Sequence, residues 1–443
     1  MAFSFGQVDT SVIFDHDIMI TFILLIFVIG YAAIATEHTI RINKAASALL
    51  TGVLCWTFYV FSQAEAHHVP DQLTEHVGEI SGILFFLMGA MTIVELIDAH
   101  DGFEIITSRI ATKSLSKLLW LLAFVTFFLS AILDNLTTTI VMVSLIRKLM
   151  PKGEMRLLFA SVVVIAANAG GAWTPIGDVT TTMLWIGGQI TTIPTMTHLI
   201  LPSLVCMIIP LGLISMRLKG NVQEMLPKEG EKLQTPVWER KVVFTVGVLS
   251  LVFVPVFKSI THLPPYMGIL GALGMMWVLT ELIHYKKDER DKDRFSVLYA
   301  LRKIDMPSIL FFLGILLAIG ALQQAGILAS MAQWLNQHVS NVNLVVIIIG
   351  FLSAVIDNVP LVAAAMGMYD LTQYPVDHYF WQFLAYSAGT GGSMLIIGSA
   401  AGVAAMGIEK INFFWYMKKV AWLAAIGFLA GAAIFILQEG FFT

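Results

Sequence analysis

The sequence predicts an all-α polytopic membrane protein, an inverted-topology repeat whose halves each hold five spans, one of them a discontinuous helix, and one re-entrant hairpin. Three observations carry this. First, 57% of the 443 residues are hydrophobic and 13% are charged, against about 25% charged in a soluble domain. The apolar runs recur near the roughly 20 residues that cross a bilayer. Second, Ser130-Ala-Ile-Leu-Asp-Asn-Leu-Thr-Thr138 returns as Ser353-Ala-Val-Ile-Asp-Asn-Val-Pro-Leu361, each copy with an Asp-Asn pair in apolar sequence. Third, flanking blocks recur in the same order. Ile83-Leu-Phe-Phe-Leu87 matches Ile309-Leu-Phe-Phe-Leu313, and Gly170-Gly-Ala-Trp-Thr-Pro-Ile-Gly-Asp178 matches Gly391-Gly-Ser-Met-Leu-Ile-Ile-Gly-Ser399. The offsets of the three blocks, 226, 223 and 221, are nearly constant.

The first half, 1–216, holds spans at 18–35, 45–63, 80–97 and 198–216. Residues 1–17 lack a basic region, so the first span is expected to insert uncleaved. Residues 98–117 form an amphipathic stretch expected along the membrane surface. Segment 118–149 is too short for two crossings and too long for one, which predicts a hairpin. Segment 157–190 carries clustered Gly and Pro at its centre, the mark of an interrupted helix. A cytoplasmic linker, 217–241, brings Arg217, Lys219, Lys228, Lys232 and Arg240. The second half, 242–443, holds spans at 242–257, 265–284, 308–326 and 413–437. The charge run Lys286–Arg294 reads as a solvated loop, and 327–341 as a second surface stretch. The second hairpin is 342–369 and the second broken helix 380–407. Cys55 and Cys206 lie in separate apolar runs, with no disulfide framework and no metal-ligand spacing.

The net charge of -4 says little, because placement of Lys and Arg sets topology. Loop 98–117 carries Arg109, Lys113 and Lys117, and loop 147–156 carries Arg147, Lys148, Lys152 and Arg156. Both ends of the first hairpin therefore belong in the cytoplasm. No Lys or Arg occurs between Lys303 and Lys410, so the second hairpin enters from outside. Five spans per half is odd, so the halves are inverted and both termini are expected outside.

The candidate site gathers two hairpin tips and two broken helices. They offer Asp134, Asn135, Thr137, Thr138, Asn168, Thr174, Asp178, Thr180, Thr181, Asp357, Asn358, Thr390, Ser393 and Ser399. Ser130, Ser353, Glu79 and Asp305 are supporting candidates. These oxygens suit a small hard cation, with Na+ expected at Asp134, Asn135, Asp357 and Asn358. The apolar segments read as free of Lys and Arg, which disfavours a large anion. An acid in a membrane is expensive as a bare anion and holds either a cation or a proton. Competition between the two is the physical basis of cation/proton exchange, with Asp134, Asp357 and Asp178 as the exchangeable groups. Asp178 also reads as a helix N-cap. His38, His67, His68 and His76 read as surface residues in or beside loops. There is no phosphate-binding loop, so an ion gradient is the expected energy source, with no cofactor and no nucleic-acid partner.

The Asp-Asn hairpins and the segment Asn168-Ala-Gly-Gly-Ala-Trp-Thr-Pro-Ile-Gly-Asp178 resemble the NhaD-type sodium/proton antiporters of the ion transporter superfamily. The resemblance runs over nearly the whole chain. It implies Na+(Li+)/H+ antiport at the cell (inner) membrane, a role in pH homeostasis, a homodimer and an elevator-type transport domain. By the same resemblance Asp134, Asn135, Asn168, Asp178, Thr180, Thr181 and Asn358 map onto functional positions. Dicarboxylate members of the superfamily carry Ser-Asn-Thr at both tips. Here an Asp replaces the Ser, and Pro360 stands where the second Thr is expected. The alternative is a sodium-coupled dicarboxylate symporter or an arsenite or anion carrier, which calls for a cationic residue near the tips. An intramembrane hydrolase would need a Ser-His pair, a zinc motif or paired catalytic acids. No zinc motif occurs, no histidine reads as deep in a span, and proteolysis does not require an inverted repeat, so no enzyme activity is expected.

Overall fold

The computed structural model describes residues 16–63, 66–107, 114–218, 235–285, 293–339, 341–355 and 357–442, and every regular element among them is helical. The main helices of the first half are α1 (His16–Ala35), α2 (Lys44–Ser62), α3 (Val69–Ala99), α4 (Leu115–Leu133), α5 (Asn135–Leu149), α6 (Glu154–Gly171), α7 (Val179–Ile186) and α8 (Thr192–Ser215). Those of the second half are α9 (Val237–Thr261), α10 (Pro265–His284), α11 (Met306–Gln324), α12 (Ile327–His338), α13 (Val342–Ser353), α14 (Asn358–Met368), α15 (Tyr379–Gly391), α16 (Ala400–Glu409) and α17 (Trp422–Phe442). Among the described residues nine helical stretches are long and apolar enough to cross a membrane, so the chain is a multi-pass membrane protein. Expectations on residues 1–15, on Arg109 and Lys113, on Lys219, Lys228 and Lys232, and on 286–292 fall outside the described residues.

Helix α3 begins eleven residues before the apolar run that marks it in the sequence. Pro70 is tolerated in its first turn, and Asp71 sits there, where a helix N-terminus favours an acid. His76 therefore lies inside a helix, half-buried, with Nε2 3.1 Å from Leu316 O. The stretch after α3 does not simply lie on a surface. Asp101 turns the chain in the left-handed region (φ 54°), and His100 and Phe103 are buried. His100 Nε2 stands 2.9 Å from His284 Nε2, so two histidines are buried where the sequence pattern placed none.

The chain divides into two compact units, Met1–Ser81 with Pro307–Trp334, and Gly82–Met306 with Leu335–Thr443. Lipid tails are as apolar as the side chains, so helices associate in a membrane by close approach and hydrogen bonds. In the first unit α2 and α11 nearly touch. A Cβ on Gly52 would stand 2.6 Å from Gly314 O, and Trp56 Nε1 donates to Leu317 O at 2.8 Å. In the second unit α3 meets α9 and α10 through Gly247 against Ile97 and Gly89 against Ile269. The rest of that unit is built from α4 to α8 and α13 to α17. There the buried Glu409 accepts from Arg156 Nε at 2.7 Å, with Arg147 Nε at 3.7 Å, and ties the end of α16 to α5 and α6.

Contacts in this second unit recur at the sequence offsets. Ser130 Oγ donates to Ala167 O at 2.6 Å, and Ser353 Oγ donates to Ala388 O at 2.7 Å. A Cβ on Gly170 would stand 2.2 Å from Phe127 O, and one on Gly391 would stand 2.2 Å from Gly350 O. Both glycines let the end of an interrupted helix lie directly on backbone. Gly170→Ala and Gly391→Ala are each expected to cost about 1–3 kcal/mol or more through overpacking, whereas Gly271→Ala, with nothing within 4 Å of its Cβ, is expected to be neutral or stabilising. Thermal unfolding of the detergent-solubilised protein checks this; an unchanged midpoint for both packed glycines would contradict the packing described.

Candidate functional site

Four helix starts meet inside the second unit, and each is capped by a side chain on its own N-cap. Helix α4 ends and α5 begins at Asp134, whose φ of 100° is rare for an L residue and costs on the order of 1–3 kcal/mol. Its carboxylate accepts from Thr137 N at 2.7 Å and Thr137 Oγ1 at 3.0 Å. Asp357 caps α14 through Val359 N at 3.3 Å with an ordinary φ of -49°. Pro360 falls in the first turn of α14, where its missing N–H has no intrahelical partner to lose. Asp178 caps α7 through Thr180 N at 3.1 Å. Ser399 caps α16 through Gly402 N at 3.1 Å.

The interruptions of α6–α7 and α15–α16 let these caps face one another across a buried chain of hydrogen bonds. Asn135 Nδ2 donates to Asp178 Oδ2 at 2.9 Å and to Asn168 Oδ1 at 3.0 Å. Asn168 Nδ2 donates in turn to Ser393 Oγ at 3.0 Å and Ser399 Oγ at 2.8 Å. All five residues are buried, Asp178 at 1% exposure. Asp178 also lies within electrostatic reach of Asp134 and Asp357. Thus Asn135, Asn168, Asp178, Ser393 and Ser399, drawn from both halves of the sequence, form one polar cluster.

The remaining candidates have separate employment. Thr174 Oγ1 donates to Ala131 O at 2.7 Å, Thr181 Oγ1 to Asp178 O at 2.9 Å and Thr390 Oγ1 to Tyr386 O at 2.6 Å. Thr181 and Thr390 thus bond back onto their own helices, whereas Thr174, Ser130 and Ser353 bond backbone carbonyls of a neighbouring segment. Thr138 Oγ1 is buried without a hydrogen-bond partner, and Thr180 is buried beside the Asp178 carboxylate that caps its helix. Asn358 is buried beside Asp357 but outside the chain of bonds. Glu79 is exposed, 3.5 Å from His76 Nδ1, and Asp305 is exposed; neither joins the cluster.

The oxygens of the cluster are one carboxylate with amides and hydroxyls. Such oxygens are hard ligands, and among the described residues no three His, Cys, Asp or Glu are grouped as metal ligands. Lys258 corrects the expectation that the apolar segments hold no cation. It lies in the last turn of α9, donates to Trp185 O at 2.7 Å and stands 4.4 Å from the Trp185 ring centroid. It thereby caps the C-terminus of α7, the helix that Asp178 starts. The sequence signal was present, one Lys near the end of an apolar run, but its partner is 73 residues away.

Residues 23–382 match the citrate transporter family, CitMHS. Sodium/proton antiporter 1 of Arabidopsis thaliana is 55% identical over 93% of this chain and 71% of its own length. Sodium/proton antiporter 2 of the same plant is 50% identical over 94% of this chain and 99% of its own. The Na(+)/H(+) antiporter NhaD of Vibrio cholerae is 30% identical over 91% and 89%. On these matches the chain belongs to the citrate transporter family and, within the ion transporter superfamily, to its NhaD-type branch.

Proposed function

We propose that the protein is a secondary active antiporter that exchanges Na+ or Li+ for H+ across a cell membrane by alternating access, in the service of sodium and pH homeostasis. The observation that carries this reading is the buried cluster in which Asp178, Asn135, Asn168 and Ser399 join two interrupted helices. Such oxygens are the ligands a small hard cation takes, and a proton on Asp178 is its alternative. The names of the plant and bacterial relatives agree with that chemistry. The paired contacts at offsets 223 and 221 support an inverted repeat, in which two halves exchange inward-open and outward-open roles. The elevator motion and the homodimer are part of the same proposal and rest on the family.

A second reading is a sodium-coupled citrate or dicarboxylate symporter, favoured by the description of the family. An organic anion would have to lie beside the Asp178 carboxylate, and the cation in reach of α7, Lys258, is held at the opposite end of that helix. Repulsion at the site argues for the cation exchanger.

In everted vesicles carrying a pH gradient reported by a quenched dye, NaCl and LiCl are expected to dequench the wild type and KCl to do so weakly. Asp178→Asn is expected to abolish the response; sodium-driven uptake of a dicarboxylate with no dequenching would establish the second reading instead. Competition for one carboxylate also fixes the sign of the pH dependence. As pH falls below the apparent pKa of the site, the sodium concentration for half-maximal exchange is expected to rise about tenfold per pH unit. A half-maximal concentration independent of pH would remove the competition from the account.

A further inference from the structure

Helices α7 and α16 take matching places in the two halves, and both start in the cluster. Their finishes are held by contacts of different kinds. At the end of α16 the carboxylate of Glu409, 3% exposed, accepts from Arg156 Nε at 2.7 Å. Withdrawing that guanidinium would leave a buried charge without its partner, which is strongly destabilising. At the end of α7 the backbone N–H of Gly187 serves Met183 O, and those of Gln189 and Ile190 serve Leu184 O. Trp185 O takes the Lys258 ammonium, at 2.7 Å. The same ammonium stands 4.4 Å from the centroid of the Trp185 ring, and Phe86 of α3 packs edge-on against that ring at 6.4 Å. Without Lys258 the end of α7 would keep a carbonyl and an aromatic face, neither of them charged. That costs less than a bare buried charge.

The ammonium also has a second place to go. Lys258 lies half-buried in the last turn of α9, and Ser259, Ile260 and Thr261 after it are exposed. A lysine has a flexible four-carbon stem and three rotatable donors, and near the end of a span it reaches the interface with water. Its hold on α7 can be made and released, whereas the Glu409 pair is built to stay.

We propose that Lys258 is a positioning residue for the exchange. It grips the finish of α7 in this conformation, sets Asp178 at the start of that helix against Asn135, and releases α7 when the cluster turns to the other face of the membrane. The proposal rests on the alternating-access reading and adds the contact that holds one of its two states. Helix α7 follows an interruption, so α6 does not fix its direction. Its eight residues span about 12 Å, a rod short enough to carry a grip at Trp185 to the carboxylate of Asp178.

Sodium-driven proton movement measured from each face, in everted and in right-side-out vesicles, tests this. Lys258→Met removes the grip. The half-maximal sodium concentration is expected to rise on the face to which this conformation opens and to fall on the other. Each change is expected to reach about tenfold, the scale on which one charge-assisted hydrogen bond tips a two-state balance. Lys258→Arg keeps a charged donor and is expected to hold both values near those of the wild type. Trp185→Leu removes the ring but leaves the carbonyl, and is expected to move both values in the same senses as Lys258→Met by a smaller factor. It carries the test alone where Lys258→Met does not reach the membrane. Shifts in one common direction on both faces would make the contact a structural support only and overturn the proposal, as would unchanged values. No sodium-dependent proton movement by the wild type would overturn the antiport reading and the proposal with it.

Discussion

Three carboxylates and four helix N-termini brought together inside a membrane protein must satisfy one another, and the architecture around the cluster follows from that requirement. The first N–H groups of a helix have no intrahelical partner and carry partial positive charge. Asp134, Asp178, Asp357 and Ser399 each turn back to cap their own helix. A capping carboxylate uses one oxygen on the backbone and keeps the other for chemistry. Asp178 shows this division, with Oδ1 on Thr180 N and Oδ2 on Asn135. A cap and a transport ligand are then the same residue, and breaking a helix inside the membrane is what brings the cap to the ion.

The breaks in turn demand small residues. A helix end that lies on backbone leaves no room for a side chain, as at Gly170 over Phe127 and Gly391 over Gly350. Backbone carbonyls beside the breaks take hydroxyls from Ser130, Ser353 and Thr174. Far from the cluster, the ends of the short helices are held by charge. Lys258 caps the last carbonyls of α7, and Arg156 with Arg147 holds Glu409 at the end of α16. Helices α7 and α16 are therefore each fixed at both ends, at the start by the cluster and at the finish by a cation or an ion pair.

The duplicated Asp-Asn pairs and the Gly-Pro interruptions were legible in the sequence because their meaning is local. An acid in an apolar run and a Gly-Gly pair in a span speak for themselves. What depends on distant partners was not legible. Asn168 reads as one more polar residue until Ser393 and Ser399 arrive from more than two hundred positions away. His100 and His284 each stand near the end of an apolar run, and only the fold buries one against the other. The early start of α3 was hidden because hydropathy reports where lipid could be, not where the helix begins.

The central claim is that sodium and a proton compete for one buried carboxylate. Proton release on sodium binding measures this directly, with the purified protein in weak buffer and a pH-sensitive dye. Sodium added near the apparent pKa of the site should release protons from the wild type in proportion to the sodium bound, and release none from Asp178→Asn. Sodium binding by the wild type without any proton release, at every pH tried, would contradict the account.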